Sequence, residues 1–464
     1  VVASAVSKGG NGAAALAHAL GVSQAASAGS TNFTAHFHGT GATLHKTTAG
    51  TTVAFPQRTF FGNVFLTSAT ETLVSTPVGP ATVSLTNSGA INVMAHASAS
   101  NALGGPAVGG TTTTPAFASA GATGVVQNGR GTTVTLTATN SGTINVGAAA
   151  TANAGATAAL AVAGARGIVQ GGIAAATTLH LALTTATFTS AFGHPSRTSQ
   201  FLTPTANGVT VTPVGAVNAS VTNSGAITVI ASASANAGTA AAAAAVATGI
   251  LQAAATTGLG VNVATAANLS VANTGTLVVG AHANAAGTSA SAAAGAVGVL
   301  QVAAATSENL SIVNSGTATV TAHAIASAVG PTGTATTATG TTGVGPAAAS
   351  AVALGLGQIG VGATTGAASV TNSGTLNVAA RATANGTSAN AFASAIGVWQ
   401  SVDPLPINFT NSGTLNVLAA ANAVGSTGAA TATAKGYYGS AFGGGTETAT
   451  VVNSGAMHVT AHAV

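Results

Sequence analysis

The sequence predicts an all-β protein: a right-handed parallel β-solenoid, or β-helix, of about eight Ala- and Gly-rich repeats of about 40 residues, with loop insertions. Three observations predict this fold. Two short signatures alternate along the chain, the runs between them alternate in polarity with a period of two, and glycine-bearing turns separate the runs. We therefore expect one elongated body over residues 1–464, in which each repeat packs against its neighbours.

The first signature is Asn-Ser-Gly or Asn-Thr-Gly, which occurs eight times between strand-like runs. Asn and Gly are typical turn residues. The Asn continues the inward phase of the preceding run, so we predict that its side chain bonds to its own turn and to the Asn of the next repeat, as a ladder. The alternative is that the Asn only favours the geometry of its turn and does not bond to the Asn of the next repeat. The signature residues are Asn87, Asn140, Asn223, Asn273, Asn314, Asn372, Asn411 and Asn453.

The second signature is Gly-apolar-x-Gln, with a degenerate copy, GYYG, at Gly436. In repeats without insertions its Gly follows the signature Asn by 25 to 27 residues, so one repeat holds both signatures. A repeat is then either one flattened coil or two smaller ones. The glutamines of this signature are Gln24, Gln127, Gln170, Gln252, Gln301, Gln358 and Gln400.

The runs after the Asn signature show strand alternation. In INVMAHASA, Ile91 and Val93 share one side of the strand, and Met94 and His96 share the other. LNVAARATA and LNVLAAANA repeat this pattern. Alanine dominates the inward positions, so we expect closely packed sheets in which each buried methyl contributes about 0.8 kcal/mol.

Charge is scarce, because the chain has 8 Lys and Arg and 4 Asp and Glu in 464 residues. The basic residues form no cluster, so we expect no nucleic-acid partner. Four scattered acids cannot form a readable catalytic set, so we expect no enzyme, catalytic residue or cofactor. The motif G-x-G-x-x-G at Gly355 lacks the βαβ context of a dinucleotide site. The chain has no Cys, which excludes disulfides.

The alanine-rich residues 237–255 resemble a membrane span only superficially. Their hydropathy comes mostly from alanine, and they contain the repeat signature GILQ. We therefore expect strands there and no membrane-spanning segment.

The combined pattern V-x-N-S-G-[TA]-[LI]-x-V-x-A-x-A followed by A-x-G-[IV]-x-Q resembles the repeats of large secreted β-solenoid proteins of proteobacteria, similar to haemagglutinin-like proteins and autotransporter passenger domains. This resemblance covers most of the chain outside the insertions. It implies an extracellular or cell-surface location in a bacterium, which would be Gram-negative. It also implies an adhesive or structural function, including a role in biofilm.

Histidine recurs nine residues after the signature Asn at His96, His282, His323 and His462, with Arg381 in the same column. Alternation points this column outward. Only His282 and His323 lie in consecutive repeats, and a metal needs more ligands, so we expect a solvated column and no metal site. His36, His38 and His45 form a second cluster, which we interpret as a loop.

Residues 27–80 and 177–216 are aromatic-containing insertions that share a duplicated module, and residues 325–347 form a Gly-, Thr- and Pro-rich excursion. Insertions in solenoids often form a binding face. Packing of the Phe side chains as a small satellite core is the alternative. The residues we expect in assembly or ligand loops are Arg58, Phe60, Phe61, Phe65, Phe192, Arg197 and Phe201.

The sequence ends with the first half of a repeat, and residues 1–24 resemble a second half. We therefore expect a structural subunit of a self-assembling extracellular filament or matrix fibre, a homopolymer with head-to-tail and lateral contacts. A monomeric fragment of a surface adhesin, binding a ligand through its insertions, is the alternative. An ice-binding solenoid is a remote third, because the outward residues are mixed.

Overall fold

The computed structural model describes residues 1–9, 13–39, 47–49, 66–77, 79–101, 115–155, 157–188, 199–254, 264–328, 345–402, 405–440 and 448–464. Within residues 29–77 and 176–213 only the backbone strands are described. All regular elements in these ranges are β-strands, thirty in number.

The first fifteen strands include all those of the two insertions. They are β1 (Val2–Gly9), β2 (Ala13–Ser27), β3 (Gly29–Gly39), β4 (Thr47–Ala49), β5 (Leu66–Pro77), β6 (Ala81–Asn87), β7 (Ala90–Asn101), β8 (Ala116–Arg130), β9 (Thr133–Asn140), β10 (Thr143–Ala154), β11 (Ala159–Ile173), β12 (Ala175–Phe188), β13 (Ser199–Pro213), β14 (Ala216–Asn223) and β15 (Ala226–Ala237).

The remaining fifteen strands follow one regular pattern. They are β16 (Ala240–Ala254), β17 (Ala264–Asn273), β18 (Thr276–Gly287), β19 (Ser289–Ala303), β20 (Ala305–Asn314), β21 (Thr317–Ala328), β22 (Pro346–Gly360), β23 (Thr365–Asn372), β24 (Thr375–Asn385), β25 (Ser388–Val402), β26 (Ile407–Asn411), β27 (Thr414–Val424), β28 (Thr427–Ser440), β29 (Ala449–Asn453) and β30 (Ala456–Ala463).

Three parallel sheets form the sides of the molecule, and their strands stack in chain order. Sheet 1 is β1-β7-β10-β15-β18-β21-β24-β27-β30, sheet 2 is β2-β8-β11-β16-β19-β22-β25-β28, and sheet 3 is β6-β9-β14-β17-β20-β23-β26-β29. The chain passes from sheet 3 to sheet 1 to sheet 2 and then begins the next coil. The predicted parallel β-solenoid is therefore confirmed, with one repeat per three-sided coil.

The coils are in register, so that equivalent residues of successive repeats form columns. For example, His282 of β18 pairs with His323 of β21, and Gln301 of β19 pairs with Gln358 of β22. The alternation seen in the sequence continues along the strands of sheets 1 and 3, because neighbouring side chains point to opposite faces of a sheet. A residue type that recurs at one repeat position therefore becomes a continuous row along the axis.

Alanine fills most of the core. One cluster runs along the molecule between the sheets, with rows such as Ala231, Ala281 and Ala322 from sheet 1 facing Ala, Val and Ile residues of sheet 2. A second cluster, which includes Leu269 and Leu310, lies where the ends of sheet 2 strands meet the start of sheet 3. Burial per residue is small, so stability depends on repetition and on the ladder of backbone hydrogen bonds.

The corner between sheets 3 and 1 has constant length. At each of the eight signatures two residues separate the strand that ends in Asn from the next strand, as in Ser315-Gly316 between β20 and β21. The connections that flank sheet 2 vary in length instead, and residues 102–114, 255–263 and 329–344 of these connections lie outside the described residues. Residues 325–328 of the predicted third excursion belong to β21, and residues 346–347 belong to β22.

The two predicted insertions pair with each other. Both leave the solenoid between sheet 2 and sheet 3, and their strands form one antiparallel sheet in the order β13-β12-β5-β3-β4. The central contact joins β12 to β5, with Leu179 opposite Leu73. Segments more than 100 residues apart in sequence thus form one unit beside the solenoid.

Residues 237–255, the alanine-rich stretch, fall at the end of β15 and in β16, which are strands. No helix with the length and hydropathy of a membrane span occurs in the described ranges.

Candidate functional site

A row of amides, buried in all but its last member, Asn453, occupies the corner between sheets 3 and 1. The eight signature asparagines end the eight strands of sheet 3, and seven consecutive hydrogen bonds of 2.7 to 2.8 Å join them, each from Nδ2 of one Asn to Oδ1 of the next along the chain. Asn223, Asn372 and Asn411 are fully buried. We call this row the Asn ladder.

Backbone carbonyls fix the orientation of each amide in the Asn ladder. Nδ2 of Asn314 also donates to the carbonyl oxygen of Thr375, at 3.2 Å, in the first position of the next sheet 1 strand. Asn140 and Asn223 make the equivalent bonds. Each Asn therefore connects two coils and both sheets at the corner. This explains why the corner has constant length, since an inserted residue would separate these partners.

A second buried row lies on sheet 2. Gln127, Gln170, Gln252, Gln301, Gln358 and Gln400 are fully buried, and each donates from Nε2 to Oε1 of the preceding Gln at 2.7 to 2.9 Å. The first acceptor in the row is Gln24. We call this row the Gln ladder.

Each glutamine also binds sheet 3. Nε2 of Gln301 donates to the carbonyl oxygen of Ser311 at 3.1 Å, and Nε2 of Gln358 donates to that of Ser369 at 3.0 Å. The Gln ladder therefore connects the end of each sheet 2 strand to the next strand of sheet 3. Its donors point toward the N-terminal end of the solenoid, whereas the donors of the Asn ladder point toward the C-terminal end.

A tyrosine closes the Gln ladder after Gln400. The residue in register with Gln400 is Gly439, and the hydroxyl of Tyr437 donates to Oε1 of Gln400 at 3.1 Å instead. The Tyr437 ring stacks on Phe409 with 5.1 Å between centroids. Burial raises the pKa of Tyr437. The degenerate GYYG signature is therefore a place where an aromatic hydroxyl substitutes for the missing amide.

The glycine of the second signature lies within sheet 2 strands, where the backbone is closely packed. A Cβ on Gly298 would meet the carbonyl oxygen of Gly355 in the next coil and would lie 2.8 Å from Cγ2 of Val320. Only a hydrogen side chain allows this approach between backbone and the valine row of sheet 1.

Glu308 is a buried carboxyl group that the sequence argument missed. It lies on β20 and is fully buried beside the second core cluster. Its Oε1 accepts hydrogen bonds from the backbone N–H groups of Ala305, at 3.1 Å, and Val361, at 3.3 Å, whereas Oε2 has no hydrogen-bond partner. Burial raises the pKa of Glu308 to about 7, and the two backbone bonds lower it only partly.

The alternation of inward and outward residues along β20 would have predicted that Glu308 is an interior residue. Its position is two residues before Leu310 and six before Asn314, both of which point inward. The alternation rule therefore places the carboxyl group in the interior.

The histidine column lies on the outer face of sheet 1. His282 is exposed, and its ring meets that of His323 edge-on, with centroids 6.3 Å apart. Arg381 is the next residue in register. Burial lowers the pKa of His323, and the charges of His282 and Arg381 lower it further. Within the described ranges, no three His, Cys, Asp or Glu side chains form a group that could hold a metal ion.

Sheet 3 has a more uniform outer face than the sequence argument against ice binding assumed. One outward column consists of hydrogen-bonding residues only: Ser84, Thr137, Ser220, Ser270, Ser311, Ser369, Asn408 and Thr450. The mixed outward residues that we took as typical belong to sheet 1. Ice binding stays a prediction.

Most of the predicted loop residues lie outside the described ranges. These residues are Arg58, Phe60, Phe61, Phe65, Phe192 and Arg197, together with His45 of the second histidine cluster. Phe201 lies on β13 opposite Ala186 of β12. His36 and His38 lie on β3, so the loop interpretation is wrong for these two histidines.

No protein family, curated protein or solved structure matches this chain. The resemblance to secreted proteobacterial solenoids therefore stays a prediction.

Proposed function

We propose that the chain is a structural element of an extracellular filament or matrix fibre, in which solenoids of this kind stack along their common axis. The Asn ladder and the Gln ladder support this role most directly. Their polar side chains bond to the neighbouring coil, so the polar chemistry of the interior serves axial cohesion. The Asn row continues through all eight coils, whereas the Gln row ends at Gln400, where Tyr437 takes the place of the next amide. At the C-terminal end, a coil from another molecule would meet the Asn row.

The specific form of this proposal is a joint in which residues 1–24 complete a coil of a neighbour. β1 aligns with Met94 to Asn101 of β7. β30 aligns through the intervening strands with Ala90 to Ala97 of the same strand. Together β30 and β1 would cover the length of one sheet 1 strand. Both would reach the positions that align with Met94 to Ala97, so the two strands would overlap there. β2 would supply the sheet 2 strand of that coil.

Electron microscopy of the purified full chain tests the joint. We expect negative-stain images to show fibres, and aligned fibres to diffract at about 4.8 Å along the axis, the spacing of paired strands. Deleting residues 1–24 should abolish the fibres, because it removes β1 and most of β2. Deleting residues 329–344, between β21 and β22, is the matched control and should leave the fibres intact.

Two results would oppose the proposal. Fibres that persist after deletion of residues 1–24 would exclude this joint. Dispersed monomers of the intact chain would exclude self-assembly and favour the adhesin alternative.

The second candidate is a surface adhesin whose ligand binds the antiparallel sheet. This sheet combines strands of both insertions in one unit, which a purely axial role does not require. Replacing residues 29–77 and 176–213 by short linkers should remove binding to bacterial or host cell surfaces and leave the far-UV circular dichroism of the solenoid unchanged. Binding that survives this replacement would argue against the adhesin.

A further inference from the structure

The outer face of sheet 2 differs from the other two faces. Between the start of each strand and the signature glycine, three outward columns cross all eight strands. We call these columns the flat face. In β2 they contain Ala14, Leu16 and His18, and in β22 they contain Ala348, Ser350 and Val352.

The flat face is mostly apolar and has no Lys, Arg, Asp or Glu. Of its 24 positions 16 are Ala, Gly or larger apolar residues, and the other eight are His18, Ser119, Ser291, Ser350, Asn390, Ser394, Thr431 and Thr433. Two basic residues of sheet 2, Arg166 and Lys435, lie in the next outward column, directly before the signature glycine. Several large apolar side chains of the flat face are exposed to solvent. They are Leu16, Leu160, Val162, Val246, Val352 and Phe392, with exposed fractions of 36% to 58%. Contiguous exposed apolar surface of this kind is typical of an interface.

A knob and a groove lie side by side on this face. Phe392 of β25 is 42% exposed. Phe392 also lines a groove of about 320 Å³, together with small and polar residues of β19, β22, β25 and β28, which include Ala293, Ala348, Ser350, Asn390, Ala429 and Thr431. A two-fold interface uses the same patch on both partners, so a protruding group and its receptor must both lie within that patch. The flat face meets this condition.

The size of the flat face is close to that of a standard protein interface. Eight strands about 4.8 Å apart and three outward columns, which take up six residues of about 3.3 Å each, give a surface of roughly 760 Å². A standard protein interface buries about 800 Å² on each partner. The partner must itself be flat, apolar and free of charge over this area.

We infer that two copies of this chain pair side by side through the flat face of sheet 2, with Phe392 of each copy in the groove of the other. The inference goes beyond axial stacking, because it assigns a separate lateral surface. It rests on the proposed structural role in one respect, because pairing of solenoids would make a fibre thicker.

Sedimentation velocity of the full chain tests the pairing. We expect the wild type to dimerise, and V352K and F392D each to raise the dissociation constant at least tenfold, because each places a charge in an apolar contact. The matched control is V313K. Val313 is 37% exposed, similar to Val352 at 43%, but lies on the outer face of sheet 3. This control should dimerise like the wild type.

The same variants separate this inference from the proposed function. In negative stain, V352K should give fibres of half the width and unchanged length, whereas deletion of residues 1–24 should leave short paired particles. Equal dimerisation of V352K, F392D and V313K would overturn the inference, as would a monomeric wild type. Far-UV circular dichroism must show unchanged β-structure, and a variant that fails this check is replaced by V246K on the same face.

Discussion

Asn314 occupies an interior position of the Asn ladder, and its environment shows what one buried amide contributes. It accepts a hydrogen bond from Asn273 and donates to Asn372, both at 2.8 Å. N314A would leave a donor of Asn273 and an acceptor of Asn372 without partners in the interior. An unsatisfied buried polar group costs about 1–3 kcal/mol. We therefore expect N314A to lower the free energy of unfolding by about 3 kcal/mol, measured by guanidinium denaturation.

The control for N314A lies on the same strand. Asn309 also bonds to an Asn, Asn268, at 2.9 Å, but this bond is exposed to water. N309A should therefore change the free energy of unfolding by less than about 0.5 kcal/mol. Equal effects of N314A and N309A would show that burial of the ladder contributes nothing to stability.

Glu308 gives the protein a pH-dependent stability whose direction follows from the raised pKa. The folded state holds the proton up to a pH of about 7, whereas the unfolded carboxyl group ionises near 4.5. The stabilising contribution is thus fully present below pH 4.5 and is lost as the pH rises to 7. The loss reaches about 3 kcal/mol, since one pKa unit corresponds to about 1.4 kcal/mol.

E308Q removes this titration and tests its sign. We expect E308Q to raise the free energy of unfolding by up to about 3 kcal/mol at pH 8 and to have little effect at pH 4, where the wild-type carboxyl group is neutral. Denaturation at both pH values measures the difference. A variant that is less stable than the wild type at pH 8 would contradict the raised pKa.

At the scale of one element, β19 contains two glycines in different environments. A Cβ at Gly298 would meet the Gly355 carbonyl and the Val320 side chain, whereas a Cβ at Gly295 would have no atom within 4 Å. We expect G298A to lower the free energy of unfolding by about 2 kcal/mol, the usual cost of overpacking. G295A should be neutral or stabilise by up to about 1 kcal/mol, because it restricts the unfolded chain.

Thermal unfolding of the two alanine variants measures this contrast. Native-state hydrogen exchange adds the location of the effect. Reduced protection in G298A should concentrate in β19 and in the strands that flank it, since each coil contacts only its neighbours. Loss of stability in both variants would indicate that β19 tolerates no added methyl group at all.

For the whole molecule, the sequence was sufficient to predict the parallel solenoid, because the two signatures lie 25 to 27 residues apart in every repeat without an insertion and the runs after the Asn signature alternate in polarity. The inward phase of Asn87 and its equivalents also pointed to the buried corner that the structure shows. The three-sided cross-section was not predictable in the same way. It depends on corners that flank sheet 2, and these have variable length and no shared turn signature.

Contacts between distant segments account for what the sequence argument missed. The pairing of β12 with β5 joins residues about 100 positions apart, and no periodic pattern in the sequence predicts which residues of the two strands pair. The flat face was missed for a related reason. Leu16, Val162 and Phe392 occur singly in alanine-rich strands, and they form one surface only when the columns of separate coils are aligned.

The opposite directions of the two ladders determine how such a molecule can grow. Each added coil contributes one amide dipole toward the C-terminal end, from Asn, and one toward the N-terminal end, from Gln. These contributions largely cancel, and so the electric field along the axis stays small however many coils are present. Duplication of the repeat can therefore lengthen the rod without an accumulating electrostatic penalty, in contrast to a long helix, whose aligned peptide dipoles add.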